Sequence, residues 1–89
     1  MSRKKLSKIR RADPFLEREL ARYEFPLPSR EYVIQLLGDE GRPLGFEQLV
    51  SALDISKDER DVFLRRLGAM EREGQILRNR KGDYILPEK

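Results

Sequence analysis

The chain has 89 residues, with 19 Lys and Arg against 16 Asp and Glu and a net charge of +3. A domain of this size leaves roughly a third of its unfolded surface wet after folding, so its core is small, and without cysteine or histidine it has neither a disulfide nor a His/Cys zinc site to reinforce it. No apolar run approaches the roughly 20 residues that span a bilayer, and the basic start is not followed by an apolar signal segment, so the expectation is a cytoplasmic protein without a membrane partner.

The net charge hides a division. Arg3, Lys4, Lys5, Lys8, Arg10 and Arg11 form a run without an acid, which leaves 13 bases against 16 acids in the remainder. Residues 1–12 are expected to be a disordered basic tail, because such a run repels itself and buries nothing. Asp13-Pro14 then marks a helix start, since aspartate accepts from free amides and proline at the next position gives up no helical bond. Leu16, Leu20 and Tyr23 follow at helical spacing, and Phe25-Pro26-Leu27-Pro28 ends this first helix in a rigid connector.

Ser29 can cap a second helix carrying Tyr32, Val33, Ile34, Leu36 and Leu37, with Gly38 as its expected stop. Beyond the breaks at Gly41, Pro43 and Gly45, Phe46, Leu49, Val50 and Leu53 repeat at i, i+3, i+4 and i+7, which predicts a third helix of about two turns. Ser56-Lys57-Asp58-Glu59 has the capping-box pattern and opens the fourth helix, whose apolar arc is Phe63, Leu64, Leu67 and Met70 and whose left-handed stop is Gly74. Only Asp54-Ile55-Ser56 separates the last two helices, the outline of a helix-turn-helix.

Gln75-Ile76-Leu77-Arg78 and Asp83-Tyr84-Ile85-Leu86 read as two short strands around Asn79-Arg80-Lys81-Gly82. A lone hairpin is barely stable, so it must pack on the helices. The fold expected is mainly α with a small β-hairpin: a winged helix-turn-helix over residues 13–86, preceded by an extra N-terminal helix and the tail, with 87–89 starting a linker.

Three stretches carry a family resemblance. They are Asp13-Pro14-Phe15 with Glu17-Arg18-Glu19, then Pro26-Leu27-Pro28-Ser29-Arg30-Glu31, and Arg66-Leu67-Gly68-Ala69-Met70-Glu71-Arg72-Glu73-Gly74-Gln75-Ile76 running into Arg78-Asn79-Arg80-Lys81-Gly82-Asp83-Tyr84. In these the chain resembles the amino-terminal winged-helix domain of the bacterial ribonuclease R family. The resemblance implies a fragment of a 3′→5′ exoribonuclease in which cold-shock-type, catalytic and S1 domains follow. It also implies catalytic Mg2+ held outside these residues. It departs at Gly68, where relatives often have arginine, and in the basic tail.

The residues themselves point to phosphate binding. Arg65 and Arg72 lie opposite the apolar arc of the fourth helix, Arg66 lies at its flank, and the wing adds Arg78, Arg80 and Lys81. Guanidinium groups bind phosphate through paired hydrogen bonds, and neutralised phosphates release counterions, so these six are the candidate contacts to structured or duplex RNA. Asp58, Asp61 and Glu73 interrupt the same helix surface, and the helix has no Asn or Gln to pair with adenine, which disfavours base reading. Catalysis within the chain is not expected: there is no ordinary nucleophile and base pair, and Asp58, Glu59 and Asp61 suit a helix N-terminus better than a cation. No cofactor is expected in this domain.

Two further readings stand beside RNA binding. A body carrying three more acids than bases suits protein docking, whether as a cover over the same enzyme's RNA channel or against another of its domains or the ribosome. A DNA-binding transcriptional regulator is the third. With no long heptad or continuous apolar patch, the expected state is a monomer.

Overall fold

A computed structural model describes residues 6–23 and 26–87. Residues 1–5 of the expected tail, Phe25 in the connector, and residues 88–89 of the expected linker lie outside the described residues. The described helices are α1 (Lys8–Arg11), α2 (Leu16–Leu20), α3 (Arg30–Glu40), α4 (Phe46–Ala52) and α5 (Arg60–Arg72); the strands are β1 (Leu77–Arg78) and β2 (Tyr84–Ile85).

The helix-turn-helix forms as its periodicity requires. Phe46 opens α4, and Leu49 and Leu53 are buried along its length. At the turn Asp54 takes the left-handed conformation, φ 54°, while the Ile55 amide donates back to the Val50 carbonyl at 2.9 Å. Half of the expected capping box forms: the Glu59 carboxylate accepts from the Ser56 amide at 2.9 Å, while the buried Ser56 hydroxyl has no hydrogen-bond partner among the described residues. The Glu59 amide goes to the Ser56 carbonyl at 3.0 Å, the tighter i→i+3 pattern, so Lys57–Glu59 is a 3-10 turn and the α-helix proper starts at Arg60. Gly74, at φ 77°, follows the helix end as expected.

Phe63, Leu67 and Met70 on α5 are fully buried, and with Val33, Leu37, Leu44, Leu49, Leu53, Ile55, Ile76 and Tyr84 they make up the core. Leu64, placed by the sequence in the same arc, is instead 47% exposed. It stands 100° from Phe63 on the helical wheel, whereas Leu67 and Met70 fall within about 40°, so the buried arc is narrower than four residues suggest. Gly68 lies inside α5, where a Cβ would meet the Arg72 Nη1 at an ordinary 3.5 Å. Gly68→Ala should therefore stabilise the domain by about 0.5–1 kcal/mol, read as a rise in thermal midpoint of several degrees; an unchanged or lower midpoint would refute this.

Differences from expectation concentrate at the N-terminal side. The helix α3 runs through Gly38 and ends at Gly41, which holds φ 65°. Gly38 keeps helical geometry, and a left-handed residue is what a C-terminal stop requires. The Ser29 cap forms, its hydroxyl accepting from the Tyr32 amide at 3.1 Å. Asp13-Pro14 does not open the helix, which begins at Leu16 with Phe15 as its N-cap; the buried Asp13 carboxylate instead accepts from the Phe15 amide at 3.0 Å and from the Ser29 amide and hydroxyl at 2.6 and 2.7 Å, tying the turn before α2 to the cap of α3. The helix α2 is only five residues long, and Leu20 and Tyr23 are 45% and 47% exposed, so its apolar spacing does not mark a buried face. Arg18 pairs with Glu31 across to α3, holding that carboxyl down at about 2 against the opposing effect of desolvation, but both side chains are exposed, where such pairs contribute little.

The expected tail differs most. Residues 8–11 form a helical turn capped by Ser7, whose hydroxyl accepts from the Arg10 amide at 3.2 Å, and Arg10 is 3% exposed. Its guanidinium grips both oxygens of Glu59 at 2.9 and 3.0 Å and donates to the Asp54 and Pro26 carbonyls. Charge composition suggested solvation, but a forked donor meeting one carboxylate and two carbonyls offsets the desolvation of a buried arginine.

Candidate nucleic-acid interface

The wing is shorter than the sequence pattern and better anchored. In β1 and β2, Leu77 pairs with Ile85 and Arg78 with Tyr84, antiparallel. Beyond them the Asn79 side chain closes the turn, its Oδ1 accepting from the Lys81 and Asp83 amides at 3.0 Å each, and Gly82 takes φ 87°. Leu44 adds a bridge that periodicity did not reveal: it exchanges two backbone bonds with Tyr84, at 3.1 and 2.7 Å. Both backbone groups of Tyr84 thus go to Leu44, and its ring is buried, which pushes its hydroxyl pKa up and leaves it packed instead of open to a base.

The six predicted cations fall into two groups. Arg66, only 19% exposed, donates to the Pro28 carbonyl at 2.9 Å and lies 3.8 Å from the buried Glu19, so it braces the connector. Arg78 donates to Glu71 on α5 at 3.1 Å and lies over the Tyr84 ring at 5.7 Å, which fastens the wing to the end of that helix. Arg65, Arg72, Arg80 and Lys81 are exposed, and among the described residues their side chains have no hydrogen-bond or ion-pair partner. Arg60, by contrast, is paired with Glu47.

Arg42, which follows the Gly41 stop, was not among the sequence candidates. Together with Pro43, Asn79, Arg80, Lys81 and Asp83 it lines a shallow open concavity of about 460 Å³ beside the wing turn. Its basic charge was visible in the sequence, but its neighbourhood depends on the Leu44–Tyr84 bridge, which links segments 40 residues apart.

The acids do not gather into a metal centre. Among the described residues no group of three or more Asp, Glu, His or Cys side chains is placed to hold an ion. Glu59, the middle of the sequence cluster, is engaged by Arg10 and the Ser56 amide. No helix of the described residues is long and apolar enough to cross a membrane.

A mainly helical module with an antiparallel two-stranded hairpin beside its helix-turn-helix is the architecture of a small winged-helix domain. The particular likeness is to proteins named Ribonuclease R. The chain is 47% identical to that of Acidithiobacillus ferrooxidans over 72 residues, 81% of this chain and 16% of the relative. It is 44% identical to that of Vibrio parahaemolyticus and 41% identical to that of Escherichia coli, each over 78 residues, 86% of this chain, and 9% and 10% of those relatives. The chain therefore spans a small part of the length of the relatives it matches. No family model and no solved structure matches it.

Proposed function

We propose that this chain is an accessory domain of a 3′→5′ exoribonuclease, and that it grips structured RNA by its phosphates without reading sequence. The observation that carries the reading is the set of exposed, unengaged cations on the outer side of α5 and at the wing tip, Arg65, Arg72, Arg80 and Lys81. An arginine already held by a protein carboxylate gives up that bond to take a phosphate, whereas these give up only water. The similarity to Ribonuclease R supports RNA as the polyanion.

Backbone recognition suits both partners. The A-form major groove is too deep and narrow for side chains to read, and exposed Asp61 on α5, with Asp58 just before the helix and Glu73 just after it, interrupts the surface that base readout would use. In this reading the domain supplies hold and orientation, while hydrolysis and its metal belong to other parts of the enzyme.

Alanine at Arg78, Arg80 and Lys81 together tests the wing. Binding of a duplex RNA with a 3′ single-stranded extension should weaken, and the slope of log affinity against log salt should fall by about two, roughly 0.9 for each phosphate released. The expected loss is two rather than three because Arg78 is held by Glu71. An affinity and slope equal to those of the unaltered protein would defeat the wing assignment.

A further inference from the structure

We infer that the concavity between the α3–α4 loop and the wing turn is a single phosphate-holding cleft, in which Arg42 and Arg80 close on the same RNA backbone phosphate and Lys81 flanks it. The inference rests on the RNA-binding reading and adds to it a contact from outside the helix-turn-helix and the wing. Arg42 and Arg80 come from segments far apart in the chain, and the paired backbone bonds between Leu44 and Tyr84 hold those segments side by side. The wing turn is equally fixed, through the Asn79 side chain. Two forked donors and an ammonium therefore line one hollow on backbone that need not be ordered by the ligand.

The charge balance of the hollow leaves it open to an anion. Asp83 is its one acid among the lining residues, and one of its carboxylate oxygens lies 3.0 Å from where a Cβ on Gly45 would stand, which directs it to the start of α4. Gly45 is what makes room for that carboxylate. Arg42 has only Glu40, two residues away, at 3.5 Å, and both side chains are exposed, so that pair is readily exchanged for a phosphate. Gathering three cations about one acid raises their mutual repulsion, and an anionic ligand relieves it.

The test is a double-mutant cycle on the full chain, using Arg42→Ala, Arg80→Ala and both together, against the same duplex RNA with a 3′ extension across a range of salt. Each single substitution should weaken binding and lower the salt slope by about one. The pair should lose less than the sum of the singles, since both side chains act on one phosphate. An Arg42→Ala protein with unaltered affinity and slope, beside an Arg80→Ala protein that is weakened, overturns the cleft and spares the wing reading. Strict additivity of the two losses also overturns the shared phosphate. If the Arg78, Arg80 and Lys81 alanine protein is itself unchanged, the wing assignment fails and the cleft fails with it. Arg42 is exposed, so thermal melting of Arg42→Ala should match the unaltered domain, and a lowered midpoint overturns the assignment of its effect to binding.

Discussion

Arg10→Met should destabilise the domain by about 3–5 kcal/mol, because it removes one partner of a buried ion pair and leaves the other in place. Glu59, with only 14% of its side chain exposed, would lose a bidentate cation, and the Asp54 and Pro26 carbonyls would lose a donor. Arg10→Lys should recover only part of the loss, since an ammonium cannot present the planar fork that meets both Glu59 oxygens. Urea or guanidinium unfolding measures both, and an unfolding free energy for Arg10→Met within about 0.5 kcal/mol of the unaltered protein would show that the pair is not needed. Acidification should act on the same contact. Burial pushes the Glu59 carboxyl up, but the Arg10 guanidinium and the Ser56 amide together bring it below the ordinary 4.5. A carboxylate depressed on folding contributes its full stabilisation above the unfolded value and loses it as pH drops through the folded value. The unaltered protein should therefore weaken progressively below about pH 4.5, and the Arg10→Met protein less steeply.

Phe63→Ala should be as severe, at about 3–5 kcal/mol. The ring is fully buried in the first turn of α5, with its centroid 5.9 Å from that of Phe46, and it belongs to a core of eleven buried side chains among the described residues. Against the roughly 5–15 kcal/mol that holds a typical domain together, such a cavity leaves little reserve in one this small. Phe63→Leu should cost less, because it keeps most of the volume. A lower denaturant midpoint at constant slope is the expected signature for both, and equal midpoints for Phe63→Ala and the unaltered protein would mean that the core lies elsewhere.

What the sequence made legible was local in origin. Period 3.6 placed α4 and α5, the Ser29 and Gly74 termini followed from capping chemistry, and the turn at Asn79 and Gly82 announced the hairpin. Its failures have physical reasons. Two glycines, Gly38 and Gly41, competed for one helix end, and only backbone geometry distinguishes them. Leu64 is apolar but lies off the buried arc. Arg10 looked like one more charge in a solvated run, because the acceptors that bury it lie up to 49 residues away. For the candidate interface, basic residues at six positions could be picked out by type alone, but whether a guanidinium is held by a neighbour, as at Arg66 and Arg78, is a tertiary property. So is the approach of Arg42 to the wing.

The bridge from Leu44 also bears on solubility. A two-stranded hairpin ordinarily presents two open ladders on which a second molecule can add a strand. Here the inner ladder is occupied at Tyr84 by the protein's own backbone, and the outer one is β1, two residues long and carrying an arginine. So brief and charged a margin is a poor template for a strand from a second molecule.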